Sequence, residues 1–138
     1  MNIETAKQQM LELPQVDLGE QHLFADGMYC RHGVLPAGSL IVGHIHKKTA
    51  INVLATGSML IKLNMEDDWE QVNAPYINST GAGVRKIIYT LEDCVFMNIF
   101  RTDETSLDKL YDECVYEEIG TKPYLIAKEI KDKELLCL

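Results

Sequence analysis

An all-β domain, a barrel or a sandwich, is the fold class this sequence predicts. Three observations carry it. Between Gln15 and Phe100 short extended runs are broken by turn residues roughly every 8–12 positions, the spacing of antiparallel strands with tight connections. Helical spacing is confined to the two ends. The 138 residues make one domain's worth of chain, enough for a core without disulfide or metal staples.

Residues 1–13 are expected to form a short helix, because Ile3, Ala6, Met10 and Leu13 fall near helical spacing and Pro14 stops it. The segment is too weakly apolar to be core alone, so it is read as an arm packing on the barrel or a neighbouring subunit. Strands are expected at 16–18, 22–24, 28–34, 40–46, 50–55, 59–63, 70–72, 76–78, 85–89 and 94–100. Asp26-Gly27, Ala37-Gly38, Thr56-Gly57, Glu66-Asp67-Asp68 and Thr80-Gly81-Ala82-Gly83 punctuate them. Pro75 opens a strand, where its missing N–H is tolerated. Beyond Phe100, Thr105 and Asp108 resemble a capping box, and Leu107, Leu110, Tyr111, Cys114 and Val115 keep helical spacing. The tail PYLIAKEIKDKELLCL sets Leu125, Ile126, Ile130 and Leu135 among Lys and Glu. It reads as an amphipathic helix or partly ordered arm docking on the barrel or a partner. The expected division is an arm at 1–20, a barrel at 21–101, and a C-terminal helix and tail at 102–138.

A net charge of −8 argues against broad attraction to nucleic acid or anionic membrane, both of which want basic surface. Cys30, Cys94, Cys114 and Cys137 are far apart, lack CxxC pairing and read as thiols of a reducing compartment. No run reaches the length of a membrane span, and MNIETAKQQM lacks the basic-then-apolar order of a leader. A cytoplasmic protein is expected.

The stretch from Pro36 to Gly57 bears the strongest chemical signal. His44 and His46 are two apart on an expected strand, so their imidazoles share a face, as in half of a metal site. Arg85 and Lys86 follow a Gly-rich turn and suit capture of a carboxylate or phosphate. Adjacent strand residues face opposite ways, so one of the two is expected to face a pocket. There is no GxSxG, GxxxxGK[ST] or HExxH.

Gly38, five intervening residues, His44-Ile45-His46 and the closing Gly57 resemble the first cupin motif. The segments around Gly27–Arg31, Leu35–Gly38, Ala74–Tyr76, Gly83–Lys86, Tyr89–Phe96 and Thr102–Asp108 extend the likeness over roughly residues 22–118. They resemble small single-domain cupins, many encoded by tailed bacteriophages. The resemblance implies a double-stranded β-helix (jelly-roll) barrel with a pocket at its mouth, and host cytoplasm if phage-encoded. It also implies a third ligand four or five residues past His46, where Ala50 or Ile51 stands, and a fourth after the glycine turn, where Arg85 or Lys86 stands. The strand that often ends in His ends in Phe100.

The candidate ligand-binding residues are therefore His44, His46, Arg85, Lys86, Tyr89, Glu92, Asn52 and Tyr76, with His44 and His46 also the candidate metal pair. Asn52, Glu92, His32 or Cys94 would add a ligand only if the fold brings it in. Each has a plainer alternative: surface ion pairs for the cations, turn chemistry for Asp93, packing for Tyr29, Tyr76 and Tyr89, and a hairpin tip for Trp69. Cys30 and His32 share a strand face, with an inert buried thiol as the default.

The lead expectation is a binder of a small anionic, nucleotide-derived or similar ligand, serving in a phage to sequester or alter a host signal. It has no fully ligated catalytic metal, and no cofactor is assigned to it beyond a candidate divalent ion. The first alternative is a metal-dependent isomerase, lyase or dioxygenase using His44 and His46 with divalent Zn, Fe, Mn or Ni. The second is a virion accessory or interaction protein. A homodimer or higher homo-oligomer is expected, its edges covered by the terminal segments.

Overall fold

The structure is a computed structural model that describes residues 3–13, 18–43, 45–63, 67–114 and 124–128. The expected strand at 16–18 falls largely outside them, as do His44 and the tail beyond residue 128. In chain order the elements are α1 (Ile3–Leu11), β1 (Gln21–Ala25), β2 (Met28–Leu35), β3 (Ser39–Gly43), β4 (Ala50–Thr56), β5 (Ser58–Lys62), β6 (Glu70–Asn73) and β7 (Tyr76–Thr80). β8 (Ile87–Thr90), β9 (Cys94–Arg101), α2 (Leu107–Cys114) and β10 (Tyr124–Lys128) complete it. They build two antiparallel five-stranded sheets, β1-β2-β9-β4-β7 and β10-β3-β8-β5-β6, packed face to face as a jelly roll.

The alternation expected from the sequence decides what each sheet sends inward. Leu35, Cys94, Leu54, Phe96 and Tyr76 meet Ile41, Ile88, Met59, Ile61 and Val72 from the opposite sheet in the main core. A second cluster of Tyr29, Phe100, Ala50 and Leu110 lies at the other end of the first sheet's inner face, where α2 caps it. On the second sheet Leu40, Val42 and Ile87 are also fully buried, although alternation turns them away from Ile41 and Ile88. On the same sheet α1 contacts β10, and its Ala6 and Met10 are buried. The arm thus packs on its own barrel.

Three boundaries differ from expectation. The strand expected over 40–46 ends at Gly43, so His46 lies beyond it. Residues 124–128 form a strand against β3, in the register Tyr124 to Gly43 through Lys128 to Ser39, and not a helix. The β3 edge would otherwise present unpaired N–H and C=O groups, and that demand outweighs the helical pattern of the tail. The strand expected to start at 85 starts at Ile87, and Val84 and Lys86 bond through their carbonyls to His46 and to Gly43 at the end of β3. No helix among the described residues is long and apolar enough to cross a membrane.

Candidate functional site

The inner face of the β1-β2-β9-β4-β7 sheet is layered. Between the two apolar clusters runs one polar row in continuous register: His22, Arg31, Asn98, Asn52 and Asn78. Polar groups taken into a core must find partners, and these do. Asn98 Nδ2 donates to Asn52 Oδ1 at 2.7 Å, and Asn52 Nδ2 donates to Asn78 Oδ1 and Thr80 Oγ1, each at 3.1 Å. Asn52 is 2% exposed and fully engaged, so it holds Asn98 in place instead of meeting a ligand. At the β1 end Glu20 Oε1 lies 3.7 Å from Arg31 Nε, and Tyr29 Oη and His22 Nδ1 are hydrogen-bonded at 2.6 Å.

Where this row meets the other sheet, a cavity opens. Arg31, Asn98 and Glu20 border it on one side, His46 and Lys86 on the other, with Leu18, Leu35, Ile41, Ile88 and Phe96 as its apolar wall. His32 and Gly33 of β2 also line it. Its volume is about 60 Å³, room for roughly four or five waters or one small anionic group. Backbone bonds fix the two residues opposite the row. Gly43 N–H donates to Lys86 O at 3.0 Å, Gly83 N–H to His46 O at 2.8 Å and His46 N–H to Val84 O at 3.4 Å.

Lys86 is the unusual group. Its residue is only 8% exposed, and no carboxylate among the described residues pairs with it. Burial, and secondarily the positive charge of Arg31, push its ammonium down from 10.5 to about 8. It still carries its charge at neutral pH. The arrangement therefore presents Lys86, the Arg31–Glu20 pair, two histidines and the Asn98 amide to a small, half-apolar space.

Of the residues singled out in the sequence, the structure brings His32, His46 and Lys86 to this cavity. His44 lies outside the described residues. Arg85 is turned the other way and donates from Nη1 to Gly43 O at 3.2 Å. Tyr89 follows Ile88 on β8 and points to the opposite sheet face. Tyr76 packs on the main core and, with Asn78, borders a separate cleft beside Lys62, Asp67, Asp68 and Glu70. Glu92 is exposed in the turn before β9, and Asp93 Oδ1 accepts from Ala37 N–H at 2.8 Å, as turn chemistry requires. Trp69 sits under the Lys62 ammonium, 5.1 Å from the ring centre. Burial raises the Cys30 thiol, so that residue is no ready nucleophile. Arg31 and Asn98 were not singled out. The signal for both was available: each lies two residues from core-facing neighbours, Tyr29 and Gly33 or Phe96 and Phe100.

A metal in this barrel would need three or more converging donors. Glu20, His32 and His46 border the cavity, but among the described residues no three His, Cys, Asp or Glu side chains come together to hold an ion. Ala50 and Phe100, where the motif places ligands, are packed in the apolar cluster with Tyr29 and Leu110. The Lys86 ammonium at the cavity wall also repels a dication, while Glu20 offsets the charge of Arg31. Among the described residues the donor set does not fit a metal.

No family model and no curated protein matches the sequence. Among solved structures the chain is similar to an RmlC-like cupin protein with a double-stranded β-helix fold from Methanocaldococcus jannaschii, at 14% identity and TM-score 0.52, over 64% of this chain and 85% of that one. It is similar to an ectoine synthase from P. lautus at 9% identity and TM-score 0.57, over 77% and 83% of the two chains. An acetylacetone dioxygenase from Acinetobacter johnsonii matches at 20% identity and TM-score 0.50, over 59% of this chain and 58% of that enzyme. The likeness is one of fold. The molecule is a cupin-type double-stranded β-helix, and a fold shared by a synthase and a dioxygenase does not choose a chemistry.

Proposed function

We propose that the protein binds a small anion, or the anionic end of a small molecule, in the cavity between Arg31 and Lys86. The observation that supports this reading is the buried Lys86 ammonium without a carboxylate partner among the described residues. An unpaired buried charge costs several kcal/mol, and a bound anion supplies the missing counterion. Arg31 adds a second cationic donor, and the wall of Leu35, Ile41, Ile88 and Phe96 favours a ligand with a short apolar part. The volume admits a carboxylate or phosphate group, so a nucleoside or other bulk would sit outside the mouth. On the motif resemblance to phage-encoded cupins, the role would be to sequester or alter a small host molecule.

Thermal shift with inorganic phosphate and a series of short-chain carboxylates tests the reading. At least one of them is expected to raise the melting temperature with increasing concentration, and Lys86→Met is expected to weaken that binding tenfold or more. The reading fails if no anion shifts the melt, or if the shift survives in Lys86→Met. It also fails if the purified protein carries stoichiometric transition metal that His46→Ala removes.

A further inference from the structure

Resting on the anion-binding reading, we infer that the cavity takes a small hydroxy carboxylate, its carboxylate at Lys86 and its hydroxyl donating to Asn98 Oδ1. The polarity of the buried amide row carries this. Asn98 is 5% exposed and lines the cavity. Its Nδ2 donates to Asn52 Oδ1 at 2.7 Å, and Asn52 in turn donates from Nδ2 to Asn78 Oδ1 and Thr80 Oγ1. The row therefore directs the donor end of the Asn98 amide toward Asn52 and leaves Oδ1 as the other end. Among the described residues Oδ1 has no partner, and Ser39 Oγ is the one side-chain polar atom sealed in the core without a hydrogen bond. Asn98 Oδ1 is thus not sealed. It opens on the cavity as a bare acceptor.

A half-buried acceptor selects for a ligand that brings a hydrogen. Carboxylate oxygens have none to give, so a plain carboxylate between Lys86 and Asn98 leaves Oδ1 facing another lone pair or nothing. A hydroxyl on the neighbouring carbon supplies the missing donor. Charge narrows the class. Lys86, Arg31 and Glu20 border the cavity, and Glu20 Oε1 lies 3.7 Å from Arg31 Nε. With both histidines neutral, the wall carries a single surplus positive charge. One carboxylate matches it, whereas the dianion of a phosphate monoester overshoots it. An ammonium in place of the hydroxyl would also donate, but it would sit beside the Lys86 ammonium, which makes amino acids the poorer fit. Size agrees. The volume of about 60 Å³ suits glycolate or lactate, with the short carbon chain against Ile41, Ile88 and Phe96.

Isothermal titration of the full chain with matched pairs, glycolate against acetate and lactate against propionate, provides the test. Each hydroxy acid is expected to bind at least about tenfold more tightly than its partner, because the analogue leaves the acceptor unpaired. Asn98→Leu is expected to bring each pair to within about threefold of equality, with an unchanged far-UV circular dichroism spectrum. Should that variant not fold, the wild-type ratio decides alone. Equal binding within each pair, or glycine binding more tightly than glycolate, overturns the inference and leaves the anion reading standing. Binding of inorganic phosphate alone does the same. A ratio that persists in folded Asn98→Leu overturns it as well, because another group then reads the hydroxyl. If neither the carboxylates nor phosphate bind, the anion reading falls and this inference falls with it.

Discussion

Lys86 concentrates what the sequence disclosed and what it withheld. Alternation along an extended segment says that Arg85 and Lys86 face opposite ways, and it does not say which faces inward. The choice is made by Gly43, whose N–H pairs with Lys86 O and whose carbonyl takes the Arg85 guanidinium. Such pairings join residues more than 40 apart in sequence and leave no local trace. Arg31 was legible by the same alternation, two residues from Tyr29 and from Gly33 on β2. The depressed Lys86 gives a pH signature. Between about 8 and 10.5 the unfolded chain holds this proton while the folded one has released it, so stability rises with pH across that window and is flat below it. The expected gain attributable to Lys86 is roughly 3 kcal/mol or less. It is read as the difference between wild type and Lys86→Met in urea unfolding at pH 7.5 and 10. Anion affinity should move the opposite way, falling as pH passes about 8, and an affinity that stays level to pH 10 would remove Lys86 from the site.

At the scale of elements, nine strands stand close to where turn spacing put them, and the misses have a common cause. The periodicity of 124–128 suits a helix, yet the segment is β10 because β3 offers an open edge. Turns were more reliable than tails because their constraint is local. Gly57 shows how strong that constraint is. It adopts φ of 92° between β4 and β5, a region disfavoured for residues with a Cβ. A Cβ there would run into the Asp93 carbonyl and come within 2.7 Å of Cys94 Sγ. Asp93 immediately precedes β9 and Cys94 opens it, held in place by Cys94 Sγ donating to Ser58 O at 3.3 Å. Gly57→Ala is therefore expected to destabilise the fold by about 2–5 kcal/mol, combining backbone strain with overpacking. Denaturant unfolding measures it, and a loss under 1 kcal/mol would mean that the turn gives way easily.

For the whole molecule, the barrel closes one flank with sequence-distant pieces: β10 completes the edge of one sheet and α1 contacts β10. The sequence showed apolar stripes at both ends of the chain. Which sheet they serve was not legible, because the outer residues of both sheets look alike until the layers are assembled. Removal of residues 124–138 strips β10 from β3 and exposes an edge strand of Leu40, Ile41 and Val42. The truncated protein is expected to melt at least about 5 °C lower and to aggregate in dynamic light scattering. An unchanged melt and a monodisperse sample would show that β10 contributes nothing to closure.

The pairing of β10 with β3 also sets a clock. The partner of Gly43 is Tyr124, so the hydrogen bonds that finish this edge join residues made 81 positions apart. At about 5–20 residues per second, ribosomes need roughly 4–16 s to travel that distance. For those seconds the nascent chain carries an open apolar edge that no later strand has yet arrived to protect. Chaperone demand during synthesis, more than equilibrium stability, is where this topology would be felt first.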